Sequence, residues 1–336
     1  MENITSIFGL DADQTLLLYS LEYLIVDDDV VESLTKKGQD GVKKNDWIAR
    51  WAKGINLSLD SMGVQREVLT TRSEVASLYN QIKDKYDQNA WKYMILLECT
   101  LFTPYFPLGA EKDDIKRYKG VKASKKTLKS SVNKVCSILG TDLKYVDRFK
   151  DGYESALKKL TNYWTKLVIN ILIGVCVVVV ILFIKQSKLA GYLVKSKGLK
   201  GAAAVNAALA MLGGGAVAAG GLGIVGGQLV LIGGGAIMGG GIGAGVGSGV
   251  MALISNSSDF TLSQLARLQV VLKEIILGMQ HDVLAIQQIL LNQQEKINIL
   301  KKEVIRLKAD AKKNKDRIKN LEKSITYMER FMKANN

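Results

Sequence analysis

The chain has 336 residues and a formal net charge of +14, with 46 Lys and Arg against 32 Asp and Glu, yet 48% of it is hydrophobic. One histidine and three cysteines (Cys99, Cys136 and Cys176) exclude His-based metal clusters and any repeated Ser-His-Asp arrangement. No acid-base and nucleophile set emerges either, so neither an enzyme nor a cofactor is expected.

The cysteines show no CxxC spacing, which points to reduced thiols and a cytosolic soluble portion. The start, Met1-Glu2-Asn3, has neither a basic run nor an apolar core, so no cleaved signal peptide is expected.

Residues 1–165 read as a soluble α-helical regulatory domain. Thr15 to Ile25, Arg72 to Ile82 and Val132 to Leu139 have helical apolar spacing, and Gly63, Pro104, Pro107, Gly109 and Gly120 break the pattern. No strand-like alternation persists. Asp27-Asp28-Asp29 reads as a helix terminus or loop, because adjacent carboxylates do not converge on a cation as helix neighbours do. The stretch KRYKGVKASKKTLKSSVNK, Lys116 to Lys134, holds eight basic residues and no acid. Two readings stand. Lys116, Arg117, Lys119, Lys122, Lys125 and Lys126 could contact phosphates while Tyr118 stacks on a base. Alternatively, the run is a solvated Lys-rich helix face.

Next comes LVINILIGVCVVVVILFI, Leu167 to Ile184, uncharged and flanked by Lys166 and Lys185. That length and those snorkelling ends predict a transmembrane helix over 166–185. The connector over 186–200 is basic, which favours a cytoplasmic face or anionic headgroups. Arg148, Lys150, Lys158, Lys159 and Lys166 load the opposite flank as well, so charge leaves the topology undecided.

From Gly201 to Ser258 there is no charged residue. Flexible linkers keep their backbone hydrated and use Ser or charged partners, whereas here the companions are Ala, Val, Leu, Ile and Met. Gly221, Gly223 and Gly226 spell G-x-G-x-x-G, but the acid that a dinucleotide fold wants about 20 positions later is missing. Lipid is the solvent that suits the run. Gly235, Gly239, Gly243 and Gly247 form a small-xxx-small ladder on which helices pack closely or line a pore. Residues 201–256 are therefore expected to insert, as one hairpin or two crossings. A Gly-rich hairpin buried in a soluble protein is the alternative.

Residues 259–336 are the most regular. Apolar residues recur at spacings of three and four from Leu262 to Met332 without a break in phase, which predicts a long coiled coil, straight or folded back into a bundle. Ile297, Leu300, Val304 and Leu307 are the expected oligomerisation seam. Gln269, Gln293 and Asn314 interrupt that seam and would fix its register. His281 falls on the solvent side.

The expected fold class is thus all-α: a helical N-terminal domain, transmembrane helices with a Gly-rich membrane segment, and a C-terminal coiled coil. The run ALAMLGGGAVAAGGLGIVGG, Ala208 to Gly227, preceded by a helical domain and followed by a long coil, resembles the Gly-rich membrane effector of the bacterial Hailong anti-phage system. The resemblance implies an oligomeric ion channel in the bacterial inner membrane that depolarises the host during infection. It also implies silencing by a short oligonucleotide from a partner nucleotidyltransferase, and it guides the expectation of a homotetramer. The basic cluster as the oligonucleotide site comes from the residues, not from the resemblance. Other functions fit the same segments: an α-helical pore-forming toxin that is soluble before insertion, or a non-conducting membrane scaffold presenting a coiled coil.

Overall fold

The structure, a computed structural model, describes residues 10–36, 39–61, 64–86, 89–106, 108, 112–161, 254 and 257–336. Those residues are helical, with no strand among them, in agreement with the all-α expectation. The chain divides into two units, whose described parts run from Leu10 to Arg148 and from Phe149 onward.

In the first unit, α1 (Ala12–Thr35) starts at Asp11, whose carboxylate accepts from Gln14 N at 2.8 Å while the Gln14 side chain accepts from Asp11 N at 3.0 Å. This reciprocal capping box satisfies two backbone donors that a helix start leaves open. Leu16, Leu17, Leu18, Leu21 and Ile25 are fully buried and cover more than one face of α1. A helix that apolar sits in the centre. Packed on it are α2 (Gln39–Ser61), α3 (Arg72–Ile82), α4 (Ala90–Leu101) and α6 (Lys125–Leu139), with short α5 (Lys112–Arg117) leading into α6. From α2, Trp47 stacks on Trp51 at 5.8 Å and meets Tyr105 and Phe106 edge-on, while its Nε1 donates to the Phe106 carbonyl. Gly140 closes α6 with φ of 62°, a left-handed position suited to glycine. The Tyr79 hydroxyl donates to the Leu139 carbonyl there.

The second unit takes the end of α7 (Lys144–Thr161), α8 (Ser258–Val270), a π-helical segment (Val271–Gln280), α9 (Val283–Lys308) and α10 (Ala311–Asn335). Every side chain of α8 is buried apart from Asp259 and Gln269, and Thr261, Ser263 and Gln269 meet polar partners. Tyr153 and Ser263 share a hydrogen bond of 2.9 Å, as do Thr261 and Ser324. Gln269 and Asn335 exchange two, at 2.7 and 2.8 Å. The pairs 261–324 and 269–335 make α8 parallel to α10. Ion pairs Lys301–Glu329 and Lys308–Glu322 make α9 antiparallel to α10. It follows that the chain reverses direction between α8 and α9.

Of the two forms expected for 259–336, a straight rod or a folded-back bundle, the reversal rules out the straight rod among the described residues. The apolar stripe does form helices, but the chain turns at His281, which has φ of 55°, and again at Ala309-Asp310. Ile297, Leu300, Val304 and Leu307 are buried within their own chain. Folding back hides the stripe without a second copy, whereas a straight rod leaves it exposed.

The expected inner-membrane location is also corrected. Among the described residues, no helix is long and apolar enough to cross a membrane. Helix α9 carries Lys, Arg or Glu repeatedly from Glu295 on, and α10 carries them in most turns, which breaks up any long apolar sleeve. The predicted transmembrane helix over 166–185, the connector over 186–200 and the Gly-rich segment over 201–256, including Gly235, Gly239, Gly243 and Gly247, lie outside the described residues.

Candidate functional site: a basic surface tied down by an acidic helix

The basic run Lys116 to Lys134 occupies the end of α5, the turn that follows, and most of α6. Its residues divide into two groups.

Arg117 is held by Asp46 of α2 through two hydrogen bonds, Nε to Oδ2 at 2.8 Å and Nη2 to Oδ1 at 3.1 Å. A fork-to-fork pair of this kind is directional and charge-assisted. It raises the Arg117 pKa. Desolvation pushes the Asp46 carboxyl up, but the bonds from Arg117 and Tyr118 outweigh it and leave Asp46 below its ordinary value. Tyr118 is only 2% exposed; its hydroxyl donates to Asp46 at 2.6 Å and accepts from Arg50 at 3.1 Å. The expected stacking of Tyr118 on a base is therefore corrected: the ring is inside the protein, and its polar end is occupied. Lys129 pairs with Asp147 at 2.9 Å and Lys134 with Asp28 at 3.0 Å.

Lys116, Lys119, Lys122, Lys125 and Lys126 form the other group. All five are exposed and make no ion pair among the described residues. Lys125 and Lys126 stand in the first turn of α6, after the cap in which Ser124 Oγ accepts from Thr127 N at 3.3 Å. Cations at a helix N-terminus oppose the macrodipole by about 0.3–1 kcal/mol each, so the fold alone does not favour them there. An anion near that turn would reverse the sign.

The residues that position this surface are acidic, and most lie on α1. Asp29 is fully buried and joins four segments. Its Oδ2 accepts from Lys44 Nζ at 2.7 Å and from the Tyr105 hydroxyl at 2.6 Å, and its Oδ1 accepts from Ser124 N at 2.8 Å. Lys44 also donates to Ser33 Oγ at 2.8 Å. The cost of burying that charge is thus offset by an ion pair and two further donors. Tyr105 adopts φ of 67° to reach it. Burial and the Asp29 charge push its phenol far above the ordinary range. Asp28 binds Arg72, Ser131 and Lys134, and Glu32 binds Lys36 and Thr127.

The sequence signal for this network was the triplet Asp27-Asp28-Asp29, expected at a helix terminus or loop. It lies inside α1 instead. Adjacent acids spread around a helix, so each one reaches a different neighbour. Asp46, Lys44 and Tyr105 carried no local signal.

Among the described residues, no group of three or more His, Cys, Asp or Glu is placed to hold a metal ion. Cys99 and Cys136 are buried free thiols, and burial pushes both pKa values up. Cys176 lies outside the described residues. No protein-family model matches the chain, nor does any curated protein or solved structure.

Proposed function

We propose that the chain is an α-helical pore-forming effector that folds before it meets a bilayer, regulated by an oligonucleotide at the five exposed lysines. The observation that carries this reading over a constitutively assembled channel is the state of the seam. Ile297, Leu300, Val304 and Leu307 are already buried inside one chain, so the heptad stripe needs no partner for the chain to fold. The lipid-compatible material is in the sequence, in Leu167 to Ile184 and the uncharged run from Gly201 to Ser258. The resemblance of Ala208 to Gly227 adds the setting: killing of an infected bacterial host. None of this requires permanent residence in the inner membrane.

Two measurements test it. Full-length protein added to dye-loaded phosphatidylethanolamine–phosphatidylglycerol vesicles should release the dye and co-sediment with the lipid, while the same protein without vesicles stays in the aqueous fraction. Absence of both release and co-sedimentation would end the pore reading. For the ligand, replacing Lys116, Lys119, Lys122, Lys125 and Lys126 with Glu should abolish binding of a fluorescent short oligonucleotide. Wild-type affinity should fall steeply as salt rises, with a log–log slope of about −3 to −4 if all five contact phosphates of a single strand. Equal binding by wild type and variant would return the lysines to a solvated face.

A further inference from the structure

The acids of α1 that reach α6 are held in two different ways. Asp29 is fully buried and bonded to Lys44, Tyr105 and Ser124 N, which locks it in place. Glu32, one turn further along α1, lies at the surface with its side chain 32% exposed. Its Oε2 accepts from the Thr127 hydroxyl in the first turn of α6, and its Oε1 accepts from Lys36 Nζ at 2.6 Å. Lys36 is itself 69% exposed, and surface pairs of this kind contribute little. The Lys36 bond, helped by one from the Ser124 hydroxyl, keeps the Glu32 carboxyl below its ordinary pKa, so it is ionised at neutral pH.

This carboxylate stands where a helix start favours negative charge. Helix α6 supplies no acid of its own there, since its first turn carries Lys125 and Lys126. The negative charge comes instead from 95 positions earlier in the chain. Ser124 and Thr127, the two residues it bonds, flank Lys125 and Lys126 directly, and Lys122 is two positions before the cap. A phosphate drawn to these lysines therefore meets a charge of its own sign already seated among them. The Thr127 hydroxyl has one proton to donate, so a phosphate and the carboxylate exclude each other at that atom.

We propose that Glu32 is a built-in competitor of the oligonucleotide: its carboxylate holds the place of a phosphate at the start of α6, and a phosphate takes that place only by displacing it toward solvent. The inference rests on the oligonucleotide reading of the five lysines and adds the residue that sets its threshold. Departure is easy for Glu32, because its tethers are at the surface and exposed side chains change rotamer within nanoseconds. Asp29 has no such freedom, since its departure would strand Lys44, a buried cation, without its counter-ion. The consequence is selection by charge. A ligand must bring several phosphates to the lysines to outweigh one carboxylate that is already in place, which favours a phosphodiester chain over a singly charged anion.

The test measures binding of a short fluorescent single-stranded DNA of mixed sequence to the full-length chain by anisotropy. Glu32→Gln keeps an acceptor for Thr127 and removes the charge, so it should tighten binding about three- to tenfold, the effect of one unit charge at short range near a protein surface. Glu32→Ala removes the acceptor as well and should also tighten binding. Glu67→Gln controls for net charge. Glu67 is exposed, and Leu69 N close by is tied to Ser20 Oγ, twelve residues or about 18 Å along α1 from Glu32. At that range screening should hold the change in affinity below about twofold. With Lys125→Gln and Lys126→Gln in place, the gain from Glu32→Gln should vanish. Helical circular dichroism, measured alongside, checks that each variant is folded. Tightening confined to the Glu32 variants and dependent on Lys125 and Lys126 supports the competitor. Wild-type binding without tightening in either Glu32 variant overturns it and leaves the oligonucleotide reading standing. Equal tightening by Glu67→Gln overturns it as a general charge effect. Absence of binding in every chain removes both readings together.

Discussion

The two units hold together by different means. The unit of residues 10–148 depends on a few polar contacts between residues far apart in sequence. Asp29 alone ties α1 to Lys44, Tyr105 and Ser124. The later unit depends on a repeating apolar stripe, with sparse polar rungs such as Gln269–Asn335 and Thr261–Ser324. Charge pairs on its surface are exposed, as at Lys301–Glu329. In the first unit, then, stability is concentrated in single residues, and in the second it is spread along a helix face.

The sharpest way to break this comparison is at Asp29. Asp29→Ala leaves Lys44 buried without its counter-ion, and removing one partner of a buried pair costs about 3–5 kcal/mol. Urea unfolding, followed by tryptophan fluorescence, should show that loss, because three of the four tryptophans, Trp47, Trp51 and Trp91, lie in residues 10–148. Replacing Asp29 and Lys44 together with Leu and Met should recover much of it. A loss below about 1 kcal/mol in Asp29→Ala would show that the network is not the keystone.

The units should also respond to pH in different windows. Desolvation raises the Asp28 carboxyl, but bonds from Ser131, Arg72 and Lys134 prevail and leave its folded pKa below the unfolded value. Its stabilisation is present above the ordinary carboxylate pKa of about 3.9 and is lost as pH falls through the folded value. Lys296 behaves otherwise. Burial lowers its pKa from 10.5 to about 7, opposed only in part by Glu295. Between those values the unfolded chain binds more protons, so the stability of the second unit should climb from about pH 7 to 10.5 and stay flat below that window. Lys296→Met should remove the climb, as read from hydrogen exchange of α9 amides. An unchanged slope would mean that the amine is hydrated in solution.

The smallest effect is expected at the surface. Lys301→Ala removes a half-exposed ion pair and should cost less than about 1 kcal/mol, fading further in high salt. Replacing a buried residue of the same helix, Leu300→Ala, should cost about 2–5 kcal/mol. If the two matched, the apolar stripe would not be what holds α9.

The sequence by itself determined that the described chain is helical, where α3 runs, and which face of α9 and α10 turns inward. All three rest on local chemistry. Thr71 and Glu74 cap α3, and the predicted span Arg72 to Ile82 is the observed helix. The heptad spacing identified Ile297, Leu300, Val304 and Leu307 as buried, because a side chain's face on a helix follows from residue count alone. Only the tertiary structure decided what covers those residues, because a periodic stripe is satisfied equally by another chain or by its own fold-back, and the energies differ through turns that periodicity does not encode. The same holds for the basic run. Composition located eight positive charges, but which of them are free depended on Asp46, Asp147 and Asp28 arriving from other helices. Tyr118 went inside because Asp46 and Arg50 could satisfy its hydroxyl there. Pairings of that kind join residues up to about a hundred positions apart, as in Ser124 on Asp29, and no local pattern carries them.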